Sequence, residues 1–136
     1  MSKERHGEPA FPGPRPGLRG EHEFVVTREM TTTHVGGDRA VMTTPAMIMM
    51  METTAQEVAR PFLPSDHTTV GYEVSIKHRA AAPIGTRVTV AVELLEVDGR
   101  KLLFKVEARG SDQTIGGGMH RRTIIRLGAL DDRPGR

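Results

Sequence analysis

Cysteine is absent from the 136-residue chain. That excludes a disulfide framework, a thiolate zinc or iron–sulfur site and a cysteine nucleophile, and it accords with a reducing compartment. Aromatic residues are scarce: there is no Trp, one Tyr (Tyr72) and four Phe. Long apolar runs are missing as well. The longest, Ala46 to Met51, falls far short of the roughly 18 residues that a membrane-spanning helix needs. The first residues are polar and rich in Pro and Gly with no apolar centre, so neither a secretory signal nor a membrane partner is expected. A cytoplasmic protein is the expectation. Charge of one sign is also lacking, since 19 Lys and Arg against 17 Asp and Glu leave +2. The basic side chains are mostly Arg, and they alternate with acidic ones instead of forming a stripe. A nucleic-acid partner would call for such a stripe or an aromatic stacking platform; none is expected.

A chain of this length makes one domain with one core, burying about two-thirds of the surface of its unfolded form. Residues 1–16 carry Pro9, Pro12, Pro14 and Pro16 and few apolar side chains, which predicts a disordered tail. The ordered domain is expected over 17–128, with a frayed end over 129–136. Inside it, Thr44 followed by Pro45 has the form of a helix start, a hydroxyl N-cap before proline at the first position. The helix is predicted to run to about Arg60, where Pro61 and Pro64 close it. Apolar residues on every side of its first two turns predict burial around its whole girth.

Strand periodicity occupies the rest. His22–Arg28 precedes the helix. After it, Val70, Tyr72, Val74 and Ile76 alternate with polar neighbours, as do Val88, Val90, Val92 and Leu94. Asp98-Gly99 is a hairpin turn signal, Leu102 to Ala108 returns, and Thr114 to Leu127 forms the last strand. The order is strand, helix, then four antiparallel strands. This is an α+β arrangement in which a long sheet curls around one apolar helix.

Separated motifs make the pattern specific: Thr31 to Val35 (TTTHV), Thr44-Pro45-Ala46-Met47 with Glu52 beyond, Thr69-Val70-Gly71, Lys77-His78, Glu96 to Arg100 and Gly118-Met119-His120-Arg121-Arg122. In sequence and spacing, from about Phe24 to Leu127, they resemble the fluoroacetyl-CoA thioesterase-like family of acyl-CoA thioesterases. The resemblance implies a hot-dog fold, an acyl-CoA substrate, hydrolysis to free acid and CoA, and no cofactor; the eight-residue spacing of Thr44 and Glu52 on one helix predicts a homodimer with sites shared between subunits, with a higher oligomer left open. Two other readings stand beside it, a hot-dog hydratase or dehydratase and a non-catalytic acyl-CoA-binding module. The segment Gly36-Gly37-Asp38 lacks the aromatic gate of the fluoroacetate-specific enzyme, so short acyl groups other than fluoroacetyl are expected.

Glu52 follows the apolar run Met47–Met51. It is either a helix-surface carboxylate reaching solvent or a general base or nucleophile; the resemblance implies the second. Thr44 is expected to cap the helix, and the resemblance implies that it is also catalytic. Pro45 has no N–H, so the amide of Ala46 or the Thr44 hydroxyl is expected to serve the oxyanion at the positive end of the helix. Histidine is the side chain suited to carrying protons near neutral pH, which makes His78 the natural proton carrier; the resemblance implies that it is catalytic, with Gly71 as an associated substrate-binding residue. Glycine inside a strand marks a close approach. Arg122 matches an arginine near the family's active site and is expected to pair with Glu52 or touch CoA. His34 is expected either to line the acyl pocket or simply to pack. His120, Arg121 and Arg126 are expected to be ordinary strand-face residues. Gly116-Gly117-Gly118 has no helix after it to hold phosphate and is expected to thin the strand where the helix crosses. The histidines show no paired metal-ligand spacing, so no metal is expected.

Overall fold

A computed structural model describes residues 11–35 and 39–132. Residues 1–10 and 133–136, and with them most of the expected tails, lie outside the described residues, as does the Gly36-Gly37-Asp38 segment. Strands β1 (Arg19–Val25), β2 (Thr31–Thr32) and β3 (Val41–Met42) precede helix α1 (Thr44–Ala59). Strands β4 (His67–His78), β5 (Arg87–Asp98), β6 (Lys101–Arg109) and β7 (Thr114–Arg126) follow it. Five strands form one antiparallel sheet in the order β1-β5-β6-β7-β4, and β2 pairs with β3 apart from it.

Alternation decides which face of the sheet turns inward. Val88, Val90, Val92 and Leu94 on β5 are buried, and so are Leu102, Phe104, Val106 and Ala108 on β6. They are paired Val90 with Ala108, Val92 with Val106 and Leu94 with Phe104. The helix lies on this face through Met47, Met50, Met51, Thr54, Ala55 and Ala59, the three-and-four spacing of a single stripe. Whole-girth burial does not hold in the single chain, because Met49 is 61% exposed. Five strands cover one side of the helix, and its other side is left open. A Cβ on Gly116 would lie 2.7 Å from Met47 Sδ; here the glycine strand is thinned so that the helix can cross it.

Three further expectations change. Residues 11–16 belong to the packed domain: Pro14 is buried, and the Phe11 ring meets His67 edge-on at 4.8 Å. Ala129–Asp132 form a 3-10 turn instead of a frayed end. Strand β4 does not neighbour β5. It crosses to the far edge and pairs with β7, where a register shift between Gly71 and Glu73 inserts one extra residue, Tyr72. Val70 and Val74 therefore do not share a face, as unbroken alternation would require. The inner-face residues are Thr69 and Gly71 before the bulge, and Val74, Ile76 and His78 after it, opposite His120, Gly118 and Gly116.

Candidate active site

Two groups of polar side chains lie along the helix, one at each end of β4. The first is at the helix N-terminus. Thr44 does not cap the helix; the N-cap is Thr43, in extended conformation, whose Oγ1 accepts from Ala46 N–H at 3.2 Å. Thr43 also holds the chain entry, donating its N–H to the Met30 carbonyl at 2.8 Å. Pro45 occupies the next helical position but one, where no N–H is available to a cap. With the cap supplied by Thr43, the Thr44 hydroxyl is free to face β4, and its Oγ1 lies 2.8 Å from His78 Nδ1. The other ring nitrogen, His78 Nε2, is out of solvent and has no hydrogen-bond partner among the described residues.

The cap alters the oxyanion expectation. Ala46 N–H is already bonded to Thr43 Oγ1, and Met47 N–H is bonded to the Thr43 carbonyl at 3.2 Å. Ala46 N–H, expected to serve the oxyanion, thus already has an acceptor within the chain. Thr44, through its own N–H and hydroxyl, is what the first turn offers. A cleft of about 710 Å³ opens here, lined by Thr44, His78, His34, Val41, Met42 and Arg79 among others. His34 sits at its exposed rim with Nδ1 2.8 Å from Thr32 Oγ1.

The division of labour between the two threonines is testable. Thr43→Ala should cost about 1 kcal/mol of stability, the usual worth of a hydroxyl cap, and leave turnover near the parent's. Thr44→Ala should do the reverse, while Thr44→Ser should keep turnover. Urea unfolding and steady-state kinetics on the three variants read this directly. A Thr44→Ala variant that loses stability but not activity would restore Thr44 as the cap.

The second group lies two turns along the helix. Glu52 is half-buried, and a Cβ on Gly71 would fall 3.0 Å from Glu52 Oε2, 2.8 Å from His120 Cε1 and 3.2 Å from Arg122 Nη1. A side chain at 71 would have to push aside the ends of three polar side chains that converge there from α1 and β7. Arg122, expected to pair with Glu52 or touch CoA, lies on the inner face and lines the pocket beside Glu52. It is 3% exposed, with Nε donating to Thr69 Oγ1 at 2.7 Å and Nη2 to the Thr69 carbonyl at 2.8 Å. It makes no ion pair with Glu52 among the described contacts. Burial works against its charge, and Glu52 supports it at longer range. An open pocket beside these residues is also lined by Met49, Thr53 and Gln56 on the uncovered side of the helix.

His120, expected to be an ordinary strand residue, is 1% exposed. It bonds the Glu73 carbonyl through Nδ1 and Arg122 Nη1 through Nε2, both at 3.1 Å. Burial pushes its pKa below the ordinary histidine value and the Arg122 charge adds to this, against the Glu73 carbonyl and Glu52, which raise it. The alternation of β7 carries a signal for this residue. His120 and Arg122 fall in the same register as Ile124, on the buried face. Arg121 points outward to Glu73 Oε1 at 3.4 Å, and Arg126 lies exposed at the strand end.

Among the described residues no cluster of three or more His, Cys, Asp or Glu is arranged to hold a metal ion, and no helix is long and apolar enough to cross a membrane.

Comparison with known proteins gives one consistent likeness. A family profile described as fluoroacetyl-CoA-specific thioesterase matches residues 26–127. The fluoroacetyl-CoA thioesterase of Streptantibioticus cattleyicolor is 34% identical over 122 residues, covering 85% of this chain and 88% of that protein. A solved structure of the fluoroacetyl-CoA thioesterase FlK superposes with a TM-score of 0.81 at 32% identity, covering 88% of this chain and 94% of the other. A Thermus thermophilus hypothetical protein described as a thioesterase superfamily member superposes with a TM-score of 0.77 at 29% identity, covering 88% and 89%.

Proposed function

The chain belongs to the fluoroacetyl-CoA-specific thioesterase family, and from that premise we propose how its residues divide the hydrolysis of a small acyl-CoA thioester to free acid and CoA. The fold is the hot-dog fold, and the enzyme is a thioester hydrolase. The observation that carries the assignment of residues is the 2.8 Å contact between Thr44 Oγ1 and His78 Nδ1, both of which line the cleft. A hydroxyl is a poor nucleophile until a base takes its proton, and an imidazole within hydrogen-bond reach is that base. Thr44 Oγ attacks the thioester carbonyl while its proton passes to His78 Nδ1. The helix N-terminus and the Thr44 N–H stabilise the developing oxyanion. As the C–S bond breaks, His78 returns the proton to the CoA sulfur. Water then hydrolyses the Thr44 ester, and the acid leaves.

Glu52, held beside Gly71 and Arg122, is the carboxylate of this site, but within one chain it stands away from Thr44. Eight residues of helix separate them by about 12 Å along the axis, and a reacting carbonyl needs its partners within about 3–3.5 Å. A two-fold homodimer resolves this. Strand β4 is an edge strand of twelve residues that pairs only with β7 among the described strands. It exposes Tyr72 (46%) and Val74 (42%), and Met49 lies bare on the helix nearby. A long edge with apolar side chains is a template for pairing. Joining β4 to β4 of a second copy covers the open side of the helix. It also sets the Thr44–His78 end of one chain against the Glu52–Gly71 end of the other, giving two equivalent sites.

Substrate choice is read by thiol release from a panel of acyl-CoAs of graded length, acetyl through palmitoyl. Turnover is expected for the short members and to fall off with chain length. CoA binding with every thioester left intact would overturn the reading in favour of a binding module.

A further inference from the structure

We propose that His120 is a positioning residue of this reaction, which orients the Arg122 guanidinium so that its charge faces Glu52 across the gap left at Gly71. The proposal rests on the reading of Glu52 as the site's carboxylate. His120 occupies an inner-face position on β7, opposite Phe104 on β6 and Val74 on β4, where an apolar side chain would fill the space at lower cost. A buried imidazole is tolerated there only with both nitrogens bonded, and both are. The partners dictate the tautomer. The Glu73 carbonyl only accepts, so Nδ1 carries the hydrogen and donates. Nε2 of the neutral ring is then a lone pair, and it accepts from Arg122 Nη1.

Arg122 is thereby gripped at all three of its nitrogens, Nε and Nη2 by Thr69 and Nη1 by His120. This exceeds what packing needs. A buried guanidinium with no carboxylate in ion-pair contact destabilises a core, and Glu73, the acidic residue next to the network, turns its carboxylate outward to Arg121 instead. The acidic group whose charge reaches both Arg122 and His120 is Glu52. The network therefore presents a fixed positive charge to one carboxylate. Among the described residues, His120 supplies the one hydrogen bond to Nη1, the guanidinium nitrogen nearest the Gly71 gap, and so sets its tilt.

The test compares His120→Leu, which keeps bulk but makes neither bond, with His120→Gln, whose amide N–H and carbonyl can remake both. Steady-state kinetics are taken on the best acyl-CoA of the panel, with circular dichroism to check folding. His120→Leu is expected to lower kcat at least tenfold with KM changed less than threefold, and His120→Gln to recover kcat to within about threefold of the parent. Arg122→Lys keeps the charge but not the fork and should resemble His120→Leu. Should His120→Leu not fold, Thr69→Val removes one grip on Arg122 with little change in shape, and a kcat loss at steady KM is expected from it. A folded His120→Leu, or failing that a folded Thr69→Val, with parental kcat overturns the proposal. Glu52→Gln, assayed alongside, separates the two ideas. If Glu52→Gln is inactive while His120→Leu is parental, only the positioning role falls. If Glu52→Gln is itself parental, the reading of Glu52 falls and this proposal falls with it.

Discussion

Replacing His78 by alanine is expected to lower kcat by about 10²–10⁴, the usual worth of a general acid–base. The reason is geometric. Thr44 Oγ1 lies 2.8 Å from His78 Nδ1, whereas the other imidazole lining the cleft, His34, sits at its exposed rim and is bonded to Thr32. His78 is also half-buried at the end of β4, so its removal opens space at the cleft wall without breaking the core. Its loss should therefore register in kcat, while CoA affinity, measured by product inhibition, changes little. Activity of His78→Ala within twofold of the parent would remove His78 from the mechanism and leave the Thr44 hydroxyl without an activating base.

Mixing two inactive variants should restore activity. Thr44→Ala and Glu52→Ala are each expected to be nearly inactive as homodimers. In a heterodimer of the two, one site combines both lesions, and the other combines the intact Thr44 of one chain with the intact Glu52 of the other. Random exchange makes half the dimers mixed, each with one good site of two, so refolded equimolar mixtures should reach about one quarter of parental activity. No arrangement with both residues acting within one chain gives this result. Heterodimers that form, as shown by tagged co-purification, yet stay as inactive as their parents would place Thr44 and Glu52 in one chain's site and overturn the shared geometry.

The gain from the structure differs from residue to residue. The strands over Val88–Leu94 and Leu102–Ala108 were legible because strict alternation with buried β-branched and aromatic residues has one physical meaning. The helix from Thr44 to about Arg60 was legible from Pro45 and Pro61. Its cap was not: Thr43 and Thr44 are chemically equal candidates. Which one turns inward to Ala46 and which outward to His78 depends on where β4 passes, 34 residues later. The role of His120 is not legible in the sequence, where a histidine between a methionine and two arginines reads as a surface residue. Its burial follows from the pairing of β7 with both β6 and β4, and that pairing is long-range.

By itself the sequence determined the inward-facing residues of the two central strands, the single apolar helix, the hairpin at Asp98-Gly99 and, through its spaced motifs, the family and hence the chemistry; that only one stripe of the helix is covered in the single chain came from the structure. Only the tertiary structure decided which polar groups meet. Gly71 and His78 are seven residues apart, an odd separation that in an unbroken strand sends them to opposite faces. The bulge at Tyr72 adds one residue and brings both to the face that carries Glu52 and Thr44. Periodicity along β4 cannot reveal that step, because a bulge is a mismatch between two strands, and its partner β7 lies at the other end of the domain's sequence.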